Sequence, residues 1–309
     1  MRRLLARLGV AVATVAGAAA LVWALQLLAP GDPARRVLAA TGIHDPLPAQ
    51  VEAAQRELGL DQPVYRRLMD WYAGVARGDL GVSWRTGRPV RAELADRLPA
   101  TGRLVAATGV LAALAAIPVT LLASASRRRW PDGLLRVGTF VAAATPSFLV
   151  GTLLLDILVV RAGVGRVLSD GSWRAAWLPA VPLALGIAAY WSRVLRTALG
   201  EAATAPFLET AAARGSGRLR LLFVHALPNA ARPLLAAVGV AMGSLLAGAV
   251  VIETLFTWPG VGRHLIEAIE ARDAPVVQGF VLFGVACYVA TSLLTDMLAW
   301  LIDPRPEAA

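Results

Sequence analysis

The chain has 309 residues, 57% hydrophobic and only 17% charged, with a mean hydropathy of +0.61; soluble chains carry about 25% charged residues. That excludes a soluble enzyme, a disordered tail protein and a secreted disulfide scaffold, the last also because Cys287 is the single cysteine. The net charge of +9 comes wholly from 30 arginines, with no lysine, and a P-loop needs lysine on the β/γ-phosphates, so a P-loop ATPase within this chain is excluded too.

Uncharged runs occupy 8–29, 104–126, 137–155, 175–192, 233–252 and 276–295, each 18 to 23 residues long. A helix of that length crosses hydrocarbon with its backbone bonded internally. The pattern predicts an all-α integral membrane protein of six transmembrane helices, the third and sixth extending past Asp156 and Asp296. The first run follows Arg2 and Arg3 but is longer than a signal-peptide core and shows no convincing cleavage site, so it is expected to stay as an anchor. With the N-terminus inside, 14 arginines fall in cytoplasmic segments and five in the two short outer loops. The positive-inside rule then makes both termini cytoplasmic. Arginines placed between apolar runs speak for topology rather than for nucleic acid. Trp130, Trp173, Trp177, Trp258 and Trp300 near span ends suit an interfacial belt.

The loop after the first span is expected to be a small folded extracytoplasmic element. Pro48–Leu58 can start a helix on its proline, with Glu52 and Arg56 at i,i+4. In 63–75, Val64, Leu68, Trp71, Tyr72 and Val75 share one face, and Gly78-Asp79-Leu80-Gly81 breaks the pattern. Val90, Leu94 and Leu98 mark a short amphipathic helix suited to the interface before the second span.

The most informative stretch is the expected cytoplasmic connection 193–232. Glu209-Thr210-Ala211-Ala212-Ala213-Arg214-Gly215 is followed, after nine residues, by His225-Ala226-Leu227-Pro228. Small helix formers, a glycine that can end a helix in the left-handed region and a second amphipathic run from Arg218, bounded at Pro228, make a helix–turn–helix suited to docking on a soluble partner. The alternative is an ordinary arginine-rich cytoplasmic loop.

This spacing resembles the EAA signature of permeases in binding-protein-dependent ABC importers, with Glu209, Ala211, Gly215, Leu227 and Pro228 matching, Thr210 in place of the first Ala and His225 in place of an Ile. The chain is similar in particular to the first permease subunit of the peptide/nickel group. The blocks Pro30-Gly31-Asp32-Pro33, Leu58-Gly59-Leu60-Asp61-Gln62-Pro63, Arg77-Gly78-Asp79-Leu80-Gly81, Arg97-Leu98-Pro99-Ala100-Thr101, Thr145-Pro146-Ser147-Phe148, Glu253–Gly262, 272–279 and Asp303-Pro304-Arg305 carry the likeness in order. The family more often has Arg where Pro228 stands. The resemblance implies a type I ABC importer transmembrane fold in the bacterial cytoplasmic membrane. It divides the chain into 1–98 (first helix and large loop), 99–303 (permease domain with coupling loop 200–230) and the tail 304–309. It further implies a second permease subunit in a heterodimer, two ABC ATPases that bind ATP and Mg, and an extracytoplasmic substrate-binding protein, with no cofactor and no ATPase site in this chain itself. Glu209, Thr210, Ala211, Ala212, Arg214, Gly215, Arg218, Leu227 and Pro228 would couple to the ATPases. Di- or oligopeptides are the expected cargo, with nickel, other metal chelates or small solutes as the alternative. A secondary transporter is a more distant possibility; it should show an inverted repeat.

Glu253, Trp258, Pro259 and Gly260 read either as an outer gate or binding-protein contact, or as a punctuated span exit. Asp156 and Asp296 read as structural acids able to reach water or an arginine. Pro118, Pro146, Pro179 and Pro182 read as kinks or entry residues. His44, His225 and His264 stand apart, as surface histidines do, and no metal site is assigned. No catalytic motif is present.

Overall fold

The computed structural model describes residues 2–27, 32–40, 42–126, 130–164 and 169–302. The side chains of Asp296 and Trp300, the arginines at 127–129, Arg305 and the tail 304–309 lie outside the described residues. In chain order the helices are α1 (Arg2–Leu27), α2 (Pro33–Ala40), α3 (Pro48–Glu57), α4 (Val64–Ala76), α5 (Val90–Ala125), α6 (Trp130–Ala144) and α7 (Ser147–Leu154). They continue with α8 (Trp173–Ala203), α9 (Pro206–Ala213), α10 (Arg218–Arg220), α11 (Leu227–Leu255), α12 (Val261–Ala271) and α13 (Ala274–Ile302), with π-helical turns at Leu155–Arg161 and Leu221–Ala226.

Four segments are long and apolar enough to cross a bilayer: Val90–Ala125, Trp173–Ala203, Arg218–Leu245 and Ala274–Thr295. The third expected span is broken. α6 and the segment Ser147–Arg161 meet at 91°, and counted together they make a fifth span. Pro146 explains the break. It holds its predecessor out of the α region and starts a new helix with ψ 135°. Among the described residues the first helix offers the shorter apolar segment Gly9–Ala24.

The chain forms two compact units. The first contains 1–99 and 263–289, the second 100–262 and 290–309. In the first, Asp32 caps α2 through the Ala34 N–H (2.9 Å) and accepts from Gln55 Nε2 of α3 (3.0 Å). Ala34, Val51 and Ala54 form a small core there. Pro48 opens α3 as expected, but Arg56 reaches the Glu52 carbonyl (3.3 Å) rather than its carboxylate. Leu68, Trp71, Tyr72 and Val75 are half-buried on α4, whereas Val64 is exposed. Tyr72 Oη donates to the Ala16 carbonyl of α1 (2.7 Å). Gly78, at φ +78°, ends α4, with Asp79 N–H returning to Gly74 O (2.9 Å).

The separate interfacial helix expected at 90–98 is instead the first turns of α5, with Val90 and Leu94 buried. In the second unit α5, α8 and α11 share a core of Leu104, Ala180, Leu183, Leu245, Ile252 and Trp258. Small residues let the helices approach closely. Ala112, Ala116, Ala184, Ala188, Ala237 and Ala241 continue that seam with Trp191, and Gly239 of α11 sits where any Cβ would overlap Thr295 of α13.

Candidate functional site

The helix–turn–helix expected after the fourth span is present. Pro206 opens α9, whose C-terminus closes on Gly215 at φ +84°. Gly215 N–H donates to Ala212 O (2.9 Å) and Ser216 N–H to Ala211 O (3.2 Å). Together these are the paired bonds of a Schellman cap, which needs a residue at ease in the left-handed region. Glu209, Thr210, Ala212, Arg214 and Gly215 are exposed and Ala211 is half-buried. Thr210 Oγ1 bonds back to Pro206 O (2.9 Å).

Leu208 roots the element, packing on the core of Leu195, Leu199, Ala202, Leu222, Ala226 and Ala230 with Leu227. That core joins α8 to the start of α11, so α9 is packed against both helices through Leu208. Arg218 is engaged within the chain. Its Nη2 donates to the carbonyls of Ser124 (3.2 Å) and Ser126 (2.6 Å), capping the C-terminus of α5. Pro228 does not interrupt the second run, contrary to expectation. Helix continues from Arg218 to Leu255 through the π turns 221–226. The wider turn lies immediately ahead of a ring that would otherwise press on the carbonyl four residues back. Pro228 is exposed. Phe207, Leu219, Phe223 and Val224 are exposed as well, a set of apolar side chains around the turn.

A second site lies at the other end of α11, within the second unit. Glu253 is fully buried and accepts from Thr101 Oγ1 of α5 (2.6 Å). The same hydroxyl accepts from Val261 N–H (2.8 Å). Gly260 lies so close that a Cβ there would overlap the Glu253 carboxylate, and a Cβ at Gly262 would meet the Val250 Cα at 2.6 Å. The turn between them is strained: Thr257 stands at φ +50°, a poor conformation for a β-branched residue. Trp258 N–H donates to Glu253 O (2.7 Å). The Trp258 ring is fully buried in the α5–α8–α11 core, so it is no belt residue. Of the four residues Glu253, Trp258, Pro259 and Gly260, only Pro259 is exposed. Pro259 packs beside the Gly171 turn, whose carbonyl accepts from Arg103 (2.9 Å).

The first unit contains a polar network that sequence reasoning missed. Asp273 accepts from Ser83 Oγ (2.5 Å), Trp84 N–H (3.1 Å) and Arg85 N–H (3.2 Å). Ser83 Oγ in turn accepts from Thr86 N–H (3.0 Å), and Thr86 Oγ1 donates to Glu93 Oε1 (2.5 Å). Glu93 Oε2 lies 2.8 Å from His264 Nε2; a carboxylate only accepts, so that nitrogen carries the proton. His264 is 3% exposed, against the surface position expected of it. The turn 82–89 is thereby fixed to α5 and to the α12–α13 corner. At its base Arg88 donates to Asp96 (2.7 Å), which raises its guanidinium above the ordinary value. That pair is exposed and contributes little stability.

Asp156, half-buried on the π turn, pairs with the exposed Arg161 (2.8 Å). Gly-Pro punctuation at 259–262 was visible in the sequence; the partners Thr101, Glu93 and Ser83, 150 residues and more away along the chain, were not.

Residues 110–307 match the family described as "Binding-protein-dependent transport system inner membrane component". The chain is 36% identical, over 95% of its length and 94% of the relative's, to a "Probable D,D-dipeptide transport system permease protein DdpB" of Escherichia coli K12. It is 32% identical, over 92% of both chains, to a "Glutathione transport system permease protein GsiC" of Escherichia coli K12 and equally to that of Shigella dysenteriae serotype 1. The chain belongs to the family of binding-protein-dependent transport system inner membrane components, as a permease of the peptide/nickel-type group.

Proposed function

We propose that this chain is the translocating permease subunit of an ATP-driven importer that carries di- or oligopeptides inward across the cytoplasmic membrane. The observation that carries the reading is α9 with its Gly215 cap, exposed on its outer side and rooted by Leu208 in the core shared by α8 and α11. An exposed lever with a buried root is what coupling to a separate motor requires. The relatives that transport a D,D-dipeptide and glutathione support the peptide class.

The full assembly on this reading has six spans in this chain, α1 serving as the first: its 26 residues reach about 39 Å at 1.5 Å per residue. Both termini and α9 face the cytoplasm. A second permease completes the pathway, two ATPases bind ATP and Mg against the α9 turns, and an extracytoplasmic binding protein delivers cargo over the loop 30–103. ATPase closure displaces α9, and α8 and α11 tilt as packed bodies. At the far end of α11 the Glu253–Thr101 contact ties that tilt to α5.

Reconstitution of the permease pair with its ATPases and binding protein in proteoliposomes tests this. Uptake of a labelled dipeptide that requires ATP inside the accessible ATPase compartment supports the reading. ATP-independent uptake driven by an ion gradient refutes it.

A further inference from the structure

A groove of about 600 Å³ runs along the second unit between α5, α6 and α8, lined by Ala115, Val119 and Leu122, by Leu134 and Gly138, and by Leu185. Its walls are apolar along most of this length. From Ala115 to Ser126, the residue just past the end of α5, the groove follows the helix for twelve residues, about 16 Å at 1.5 Å per residue, or about half of a 30 Å hydrocarbon layer. Leu135, Thr139 and Ser192 also line a second, smaller pocket of about 190 Å³. There the lining changes to Arg136, Arg193 and Arg196. Trp130, 59% exposed, lines the groove.

Charge decides what suits this cavity. Asp132 bridges Arg136 (2.6 Å) and Arg196 (3.1 Å through Nη2), so one carboxylate opposes three guanidinium groups and the pocket keeps a surplus of two positive charges. Arg193 is exposed and makes no ion pair among the described residues. A basic pocket at a span end, continuous with an apolar channel reaching half a bilayer, matches a molecule with an anionic head and a hydrocarbon tail. A neutral protein helix would fill the channel but leave the surplus charge without a partner.

We propose that the α5–α6–α8 groove is a binding site for an anionic phospholipid, its phosphate on Arg193 and Arg136 and an acyl chain lying along Ala115–Leu122 and Gly138. One juxtamembrane arginine is worth about 1 kcal/mol toward an anionic surface, so loss of Arg193 lowers the preference for anionic over zwitterionic lipid about five-fold.

The test uses the permease complex in nanodiscs holding either brominated phosphatidylglycerol or brominated phosphatidylcholine. Quenching assigned to Trp130 is read as the difference between wild type and Trp130→Phe. The site predicts stronger quenching by the phosphatidylglycerol, a preference reduced about five-fold in Arg193→Gln. Gly138→Leu supplies a second variant. An added Cβ there meets nothing within 4 Å, so the helix accepts it while the side chain occupies the groove, and quenching by both lipids falls. Equal quenching by both lipids in the wild type overturns the proposal. So does a Trp130 shielded from both lipids, which would mean that the second permease subunit fills the groove.

Discussion

Two buried threonines on α5 separate hydrogen bonding from packing as the source of rigidity at the C-terminal end of α11. Thr101 is 4% exposed and Thr108 0%, on the same helix and one sequence heptad apart. Thr101 Oγ1 donates to the buried Glu253 carboxylate at 2.6 Å and accepts from Val261 N–H at 2.8 Å. Thr108 Oγ1 has no hydrogen-bond partner among the described residues. Valine is nearly isosteric with threonine, so Thr→Val at either position keeps the volume and deletes the hydroxyl. At Thr101 the change removes a charge-assisted bond and strands a second donor, costing about 3 kcal/mol. At Thr108 it removes an unpaired buried hydroxyl and is neutral or stabilising by about 1 kcal/mol. Thermal unfolding of the detergent-purified complex, followed by fluorescence, should show a lowered midpoint for Thr101→Val and an unchanged or raised one for Thr108→Val. Equal destabilisation by the two would refute the idea that the Glu253 contact is a latch. Glu253→Gln should fall nearer to wild type than Thr101→Val does, because the amide oxygen still accepts from the hydroxyl.

Three further outcomes follow from the same reasoning. Gly215→Ala strains the φ +84° cap by about 1 kcal/mol and should leave most uptake intact. Gly215→Pro cannot reach that φ and also loses the N–H bonded to Ala212, so ATP hydrolysis should persist while uptake is lost, as measured in proteoliposomes. Asp273→Ala strands three donors, Ser83 Oγ and the N–H groups of Trp84 and Arg85, and limited proteolysis should then cut the 82–89 turn several-fold faster than in wild type. Gly279→Ala places a Cβ 2.6 Å from Val90 Cγ1, an overpacking of about 1–3 kcal/mol that should lower the unfolding midpoint, with partial recovery in Val90→Ala/Gly279→Ala.

Apolar runs announced the long helices because hydrocarbon demands them: the runs at 175–192, 233–252 and 276–295 lie within long helices, and 104–126 does so up to Ala125. Where helices extend past those runs, partners far along the chain are responsible. α5 begins at Val90 because Glu93, which interrupts the apolar pattern, is buried against Thr86 and His264. α12 escaped notice although His264 and Ala268 sit at i,i+4 on its buried side, since its charges read as an outer loop. Pro146 was visible as a breaker, but proline fixes only local φ and the 91° turn depends on what α6 and α7 pack against. The helix–turn–helix of α9 and α10 was legible down to its glycine because its shape is local: helix formers, a left-handed cap, then a second helix. The Glu253 site was half legible. The glycines and proline marked a tight turn, and only the fold brought Thr101 to it.

A photoreactive residue placed at Ala212, exposed on α9, tests most directly whether this element grips a nucleotide-hydrolysing partner. In membranes containing the assembled transporter, irradiation should attach Ala212 to an ATPase subunit, and adding ATP should change the yield. Labelling of lipid alone, or an adduct to the extracytoplasmic binding protein, would place α9 on the wrong side or surface and contradict the assignment of this helix as the coupling lever.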